Sequence, residues 1–100
     1  MKEIEEIIDQ IEEELDDATN YAWKAMHYKA KDIELSNTYS ELARQELAHA
    51  DMLCTQGERI VRMHKSTEHE EHKDMHTIWN WQHKKFMAKK QHIRSLMTSS

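Results

Sequence analysis

Proline is missing from the 100-residue chain and glycine occurs once, at Gly57. Nothing therefore breaks a helix by removing a backbone donor, and almost nothing by excess backbone freedom. Cysteine also occurs once, at Cys54, which excludes an intrachain disulfide framework and suits a reducing compartment. A single glycine leaves no glycine-rich phosphate loop, and no strand–turn–helix context supports a Ser-His-Asp hydrolase. No window approaches the roughly 20 apolar residues of a membrane span, and the acidic N-terminus does not read as a signal peptide. Apolar residues make up only 38% of the chain and charged residues 33%. That is enough for a seam along helices but not for a thick core, and small helical chains of this balance complete their core by oligomerising. The expectation is an all-α protein, one domain over residues 1–100, cytoplasmic, without a membrane partner and assembling as a homo-dimer or higher homo-oligomer.

What is present is mostly good helix former, arranged in three segments. The first runs from about residue 2 to 29, with Ile4, Ile7, Ile8, Ile11, Leu15, Ala18, Ala22 and Ala25 at helical spacing. The pattern weakens at Lys29-Ala30-Lys31, and Asp32 is placed to cap the next helix. That second helix spans about 33 to 64, with Leu35, Tyr39, Leu42, Leu53 and Ile60 as its buried stripe and Ala43 and Ala50 beside it. Gly57 falls inside this pattern and allows either a bend or close packing. A second break comes at Lys65-Ser66-Thr67, where Thr67 and Glu70 match a capping box and Ser66 is the other candidate cap. The third helix covers about 68 to 96, with Met75, Ile78, Trp79, Phe86, Ile93 and Leu96 on its apolar side. Trp79 and Trp81 cannot share one seam, so one of them belongs at a subunit contact or in solvent.

Charge is unevenly spread. Residues 1–17 carry nine acids against Lys2, whereas Lys84, Lys85, Lys89, Lys90 and Arg94 have no acid between them. A basic helix end can mark a nucleic-acid surface. With no arginine cluster and a net charge of −5, the favoured reading is a basic helix laid beside an acidic one, and nucleic acid is not an expected partner.

The heptad positions 4, 7, 11, 14, 18, 21, 25 and 28 hold Ile4, Ile7, Ile11, Glu14, Ala18, Tyr21, Ala25 and Tyr28. One carboxylate, Glu14, interrupts an apolar and aromatic line, while Glu12, Glu13 and Asp16 fall off it. On the second helix Glu46 and His49 interrupt the stripe together as Glu-x-x-His, and residues three apart share a helix face. An unpartnered buried carboxylate is costly. A metal removes that cost, and carboxylate with imidazole suits iron, manganese or zinc. In an antiparallel hairpin Glu14 and Glu46 stand at equal height only if the turn is centred on residue 30, where the pattern already breaks. Both would then lie about 24 Å from the turn. Diiron carboxylate bundles take a Glu from each of two helices and Glu-x-x-His from each of the other two. One hairpin supplies half of that set, and a twofold dimer would supply the rest.

Residues 12–53 resemble the ferritin-like superfamily, and are most similar to half-length encapsulated ferritins, whose two-helix subunit builds its site across a dimer. The resemblance rests on Glu13-Glu14-Leu15-Asp16 followed by Tyr21, and on Glu46-Leu47-Ala48-His49-Ala50 with Leu53. It implies half of a four-helix bundle plus a third long helix, and a diiron site shared between two chains. It also implies ferroxidase chemistry for iron storage or detoxification, with Glu14, Glu46 and His49 as the catalytic metal ligands. By the same resemblance Glu13 is a candidate for a nearby secondary metal site and Tyr21 an aromatic packed behind the ligands. No C-terminal stretch reads as an encapsulation peptide, so an encapsulating shell is not an expected partner.

Blander readings stand beside these. Glu14, Glu46 and His49 also fit a hydrogen-bonded polar layer in a bundle. The chain would then be a helical assembly or adaptor protein, or a metal buffer or sensor without turnover. Tyr21, Tyr28 and Tyr39 read as core residues with a bonded hydroxyl. His69, His72, His76 and His83 share a helix face, more in the manner of a solvated surface than of a zinc, nickel or copper site. If the second turn is centred near 66, however, His83 is level with His49 and could approach the site. The methionines read as adaptable packing and Cys54 as a small buried thiol.

Overall fold

The computed structural model describes residues 2–64 and 70–98, with the side chains of the third helix described from Met75 onward. It contains α1 (Lys2–Tyr28), α2 (Ile33–Met63) and α3 (Glu70–Thr98), and no strand among the described residues. None of these helices is long and apolar enough to cross a membrane. Ser66, Thr67 and His69 lie outside the described residues, as does the proposed Thr67–Glu70 capping box, and so does the side chain of His72.

Two local signals set the first reversal. The chain leaves α1 in a turn, with Lys31 N and Asp32 N both donating to Tyr28 O at 3.0 and 2.8 Å. Asp32 then takes an extended conformation and its carboxylate accepts from Leu35 N at 3.1 Å, the N-cap geometry that satisfies an otherwise unpaired amide. Just inside α2, buried Ser36 donates its hydroxyl to Ala25 O at 2.6 Å. This bond ties the start of α2 to the last turn of α1 and fixes the register of the hairpin.

The core departs from the expected seam in an instructive way. On α1 the buried residues are Ile4, Ile8, Ile11, Leu15, Ala18, Ala22 and Ala25. Ile7, Glu14, Tyr21 and Tyr28 are only half-buried. On α2 the buried row is Ser36, Ala43, Leu47, Ala50, Cys54, Gly57 and Val61, whereas the expected stripe of Leu35, Tyr39, Leu42, Leu53 and Ile60 is half-buried. Small residues at 36, 43 and 50 line the contact with α1. The buried row of α1 is thus the expected one without Ile7, whereas on α2, where α3 packs from one side, it lies about one residue, or 100° of helix, from the expected stripe.

Trp79 anchors α3. Its ring is 1% exposed, its Nε1 donates to Glu58 Oε1 at 2.8 Å, and it lies directly over Gly57. A Cβ built there would collide with the six-membered ring of Trp79. Gly57 thus serves close packing and not a bend. Met75, Phe86, Ile93 and Leu96 complete the apolar side of α3. Ile78, expected among them, is exposed, because the helix turns that face outward next to Trp81, 60% exposed.

The basic end of α3 lies beside acids, as its charge pattern suggested. Lys89 pairs with Asp16. Lys90, only 4% exposed, places its Nζ 2.6 Å from Asp51 Oδ1 and 3.6 Å from Cys54 Sγ, and Arg94 Nη2 lies 3.9 Å from Asp51 Oδ2. Burial pushes the Cys54 thiol above its ordinary pKa, against the nearby Lys90 charge, so the thiol is held as a neutral packing group.

The notch at Gly57 makes a signed prediction. Gly57→Ala improves helix propensity by about 1 kcal/mol, but forces a rigid, hydrogen-bonded ring out of place, and overpacking of this kind costs about 1–3 kcal/mol. Thermal denaturation should show a lower Tm than wild type, whereas a rise in Tm would mean that Trp79 does not sit on Gly57.

Candidate metal centre

Each of the three donors is delivered by a different structural constraint. Glu14 sits at the half-buried position before core residue Leu15. Glu46 occupies the matching position before Leu47, and His49 follows Glu46 by three residues on the same side of α2. Ser36 and the Asp32 cap fix the register that makes 14 and 46 face each other. His49 Nδ1 lies 3.3 Å from Glu14 Oε2 and 3.8 Å from Glu46 Oε1. One donor atom from each residue lies within 4.8 Å of the other two. Two ligands bound at about 2.0–2.2 Å to one ion are at most about 4.4 Å apart, so small side-chain adjustments would close the set around a cation.

The electrostatics fit the same donor set. The two carboxylate side chains are 18% and 19% exposed and His49 is 54% exposed. Glu46 has its pKa raised from 4.5 to about 7. The main cause is a hydrogen bond with the Glu14 carboxyl, followed by burial and by the Glu14 charge; His49 opposes the rise and Asp17 adds to it. Without a metal, then, one proton bridges two carboxyls that cannot comfortably both ionise. A divalent cation would replace that proton and offset the repulsion, with neutral His49 as nitrogen donor.

Other expected site residues go elsewhere. Glu13 is exposed, a 100° step around the helix from Glu14, and is not part of the group. His83 does not reach the trio. It stacks on Trp79 with ring centroids 5.8 Å apart and its Nδ1 is 3.8 Å from Glu58 Oε1. Trp79 sits over Gly57 and holds His83 beside Glu58, more than two turns of α2 from His49. α3 also packs on the far side. Asp16 and Asp51, which hold it, each follow a ligand by two residues, about 200° around their helices.

The tyrosines form a ladder on the site face. Tyr39 stacks between Tyr21 and Tyr28, with centroids 6.1 and 5.9 Å away, and Lys24 Nζ lies 5.4 Å from the Tyr39 ring centre. They are half-buried, not core. The sequence reading passed over Asp17, whose charge bears on Glu46; its place three residues after Glu14 is the signal that could have found it. Compared with family models, with curated proteins and with solved structures, the chain matches none.

The raised pKa fixes a pH dependence. A group whose pKa is higher in the folded than in the unfolded chain stabilises fully below its unfolded value, and that contribution is lost as pH rises through the folded value. In metal-free protein, Tm of Glu46→Gln should match wild type near pH 4, exceed it progressively up to about pH 7 and hold a constant lead above that. A difference that is flat across this range would contradict the shared proton.

Proposed function

We propose that the chain is a ferritin-like iron-binding protein and a ferroxidase, with a diiron carboxylate site completed when two hairpins pair. The observation that carries this reading is the convergence of Glu14, Glu46 and His49 at the middle of the hairpin. They are the only carboxylate–imidazole group of three among the described residues. Half of a two-iron donor set is present, and the exposed edge of His49 leaves room for the other half.

In this reading Fe²⁺ is the substrate and gives up one electron per ion to oxygen or peroxide. Glu14 and Glu46 balance the growing positive charge, which is larger on the ferric product than on the ferrous substrate. That difference is what favours oxidation at the site. His49 supplies the neutral nitrogen donor, with half-buried Leu42 and Leu53 one turn from Glu46 and His49 on α2. Manganese or zinc would suit the same donors, and a metal buffer without turnover would use them identically.

A second reading, a helical adaptor, draws on the outward face of α3, where Ile78 and Trp81 are exposed with Lys85 Nζ 4.3 Å over the Trp81 ring. Turnover separates the two. Anaerobic Fe²⁺ titration should saturate at about one iron per chain, and admission of oxygen should consume it with ferric absorbance. Glu46→Ala and His49→Ala should each weaken binding by at least about tenfold. Unchanged binding in both variants, or no binding in wild type, would leave the adaptor reading.

A further inference from the structure

Where α3 meets α1 there is a cleft of about 270 Å³, lined by Glu12 and Asp16 on α1 and by Gln82, Lys85, Phe86 and Lys89 on α3. It is separate from the three donors, since Glu12 and Asp16 each lie two residues, or about 200° around α1, from Glu14.

The charges of the cleft form two rungs. α3 runs antiparallel to α2, from Trp79 beside Glu58 to Lys90 beside Asp51, and so runs parallel to α1. Glu12 and Asp16 are four residues apart, as are Lys85 and Lys89, and each pair shares a helix face. One rung is closed, because Lys89 pairs with Asp16. That pair sets Lys85 level with Glu12, yet the second rung stays open. Lys85 turns its Nζ to the Trp81 ring, 4.3 Å from the ring centre. The Glu12 carboxylate is exposed and has no partner among the described residues. One turn earlier on α3, Gln82 buries its Oε1 with no hydrogen-bond partner, a costly state for an amide oxygen.

We propose that this cleft binds a small zwitterion, a free α-amino acid, whose ammonium donates to Gln82 Oε1 and Glu12 and whose carboxylate meets Lys85. Three unmet demands border the cleft. The amide oxygen and the Glu12 carboxylate need N–H donors, and Lys85 needs an anion. A simple cation would answer the first two and be repelled by Lys85 and Lys89. A simple anion would answer Lys85 and be repelled by Glu12 and Asp16. A molecule with both signs a few ångströms apart answers all three. The volume falls just below the range typical of drug-sized ligands, about 300–1,000 Å³, which suits a ligand of this size.

The rival explanation is internal. Lys85 could leave Trp81 and pair with Glu12, but Gln82 Oε1 would remain unmet. None of Glu14, Glu46 and His49 takes part, so the proposal stands or falls apart from the iron-binding reading.

Isothermal titration of the full, metal-free chain with L-alanine tests it, with ¹⁵N NMR following the Gln82 side-chain amide. The expected result is a saturable isotherm, one alanine per chain, and a shift of the Gln82 signal. Glycine betaine carries both charges but no N–H, and N-acetyl-L-alanine has the carboxylate but no ammonium. Each should bind at least about tenfold more weakly, because hydrogen bonds from a charged donor are lost. Glu12→Gln and Gln82→Leu should weaken alanine binding by a similar factor with helicity retained, and Glu46→Ala should leave it unchanged. Absence of saturable heat, betaine binding as tightly as alanine, or unaltered affinity in Glu12→Gln would overturn the proposal. So would closure of the rung by Lys85 itself, read as a lower Tm in Lys85→Ala with no alanine binding in the wild type.

Discussion

Two carboxylates that face each other with too little water between them set the terms for the rest of this molecule. Glu14 and Glu46 are placed by separate helices, their contact and burial raise the pKa of Glu46 to about 7, and they are bordered by His49 and Asp17. Within the hairpin such a pair is a cost unless something offsets it, and in the proposed reading a divalent cation does so with the donors at hand.

The scaffold serves that pair by keeping the helices close and in register. Small residues line the α2 contact, Ser36 bonds across to Ala25, and Asp32 caps the start of α2. α3 adds a third layer on the side away from the donors. Its Lys90 reaches a nearly dry position beside Asp51 and Cys54, so the hairpin is braced from behind while none of the described helices covers its donor face. Bracing one face and leaving the other unpaired is the arrangement that the proposed twofold dimer uses.

Much of this was legible in the sequence, for identifiable reasons. The lack of proline and the long apolar periodicities gave three helices with ends within a residue or two of the observed ones. Equal height of Glu14 and Glu46 followed from the break at 29–32, because an antiparallel hairpin has one free parameter and the Asp32 cap fixes it. The rotation of the core on α2 was not legible. On α1 the apolar spacing marked the buried row from Ile4 to Ala25, and only the heptad line through Ile7, Glu14 and Tyr21 lies at its edge; on α2 the row of small residues that α3 helps to bury was not marked. Likewise Gly57 could have meant a bend; only the Trp79 ring above it decides for close packing. That same seating holds His83 beside Glu58, away from the trio.

The account's central claim is that Glu14, Glu46 and His49 of two copies enclose two irons. Anomalous diffraction at the iron edge, from crystals grown with Fe²⁺, tests it most directly. The account predicts two peaks related by the twofold, about 3.5–4 Å apart, each within bonding distance of a carboxylate and of His49. Density that shows Glu14 still hydrogen-bonded to Glu46 with no peak between the hairpins, or iron bound only on α3, would contradict it.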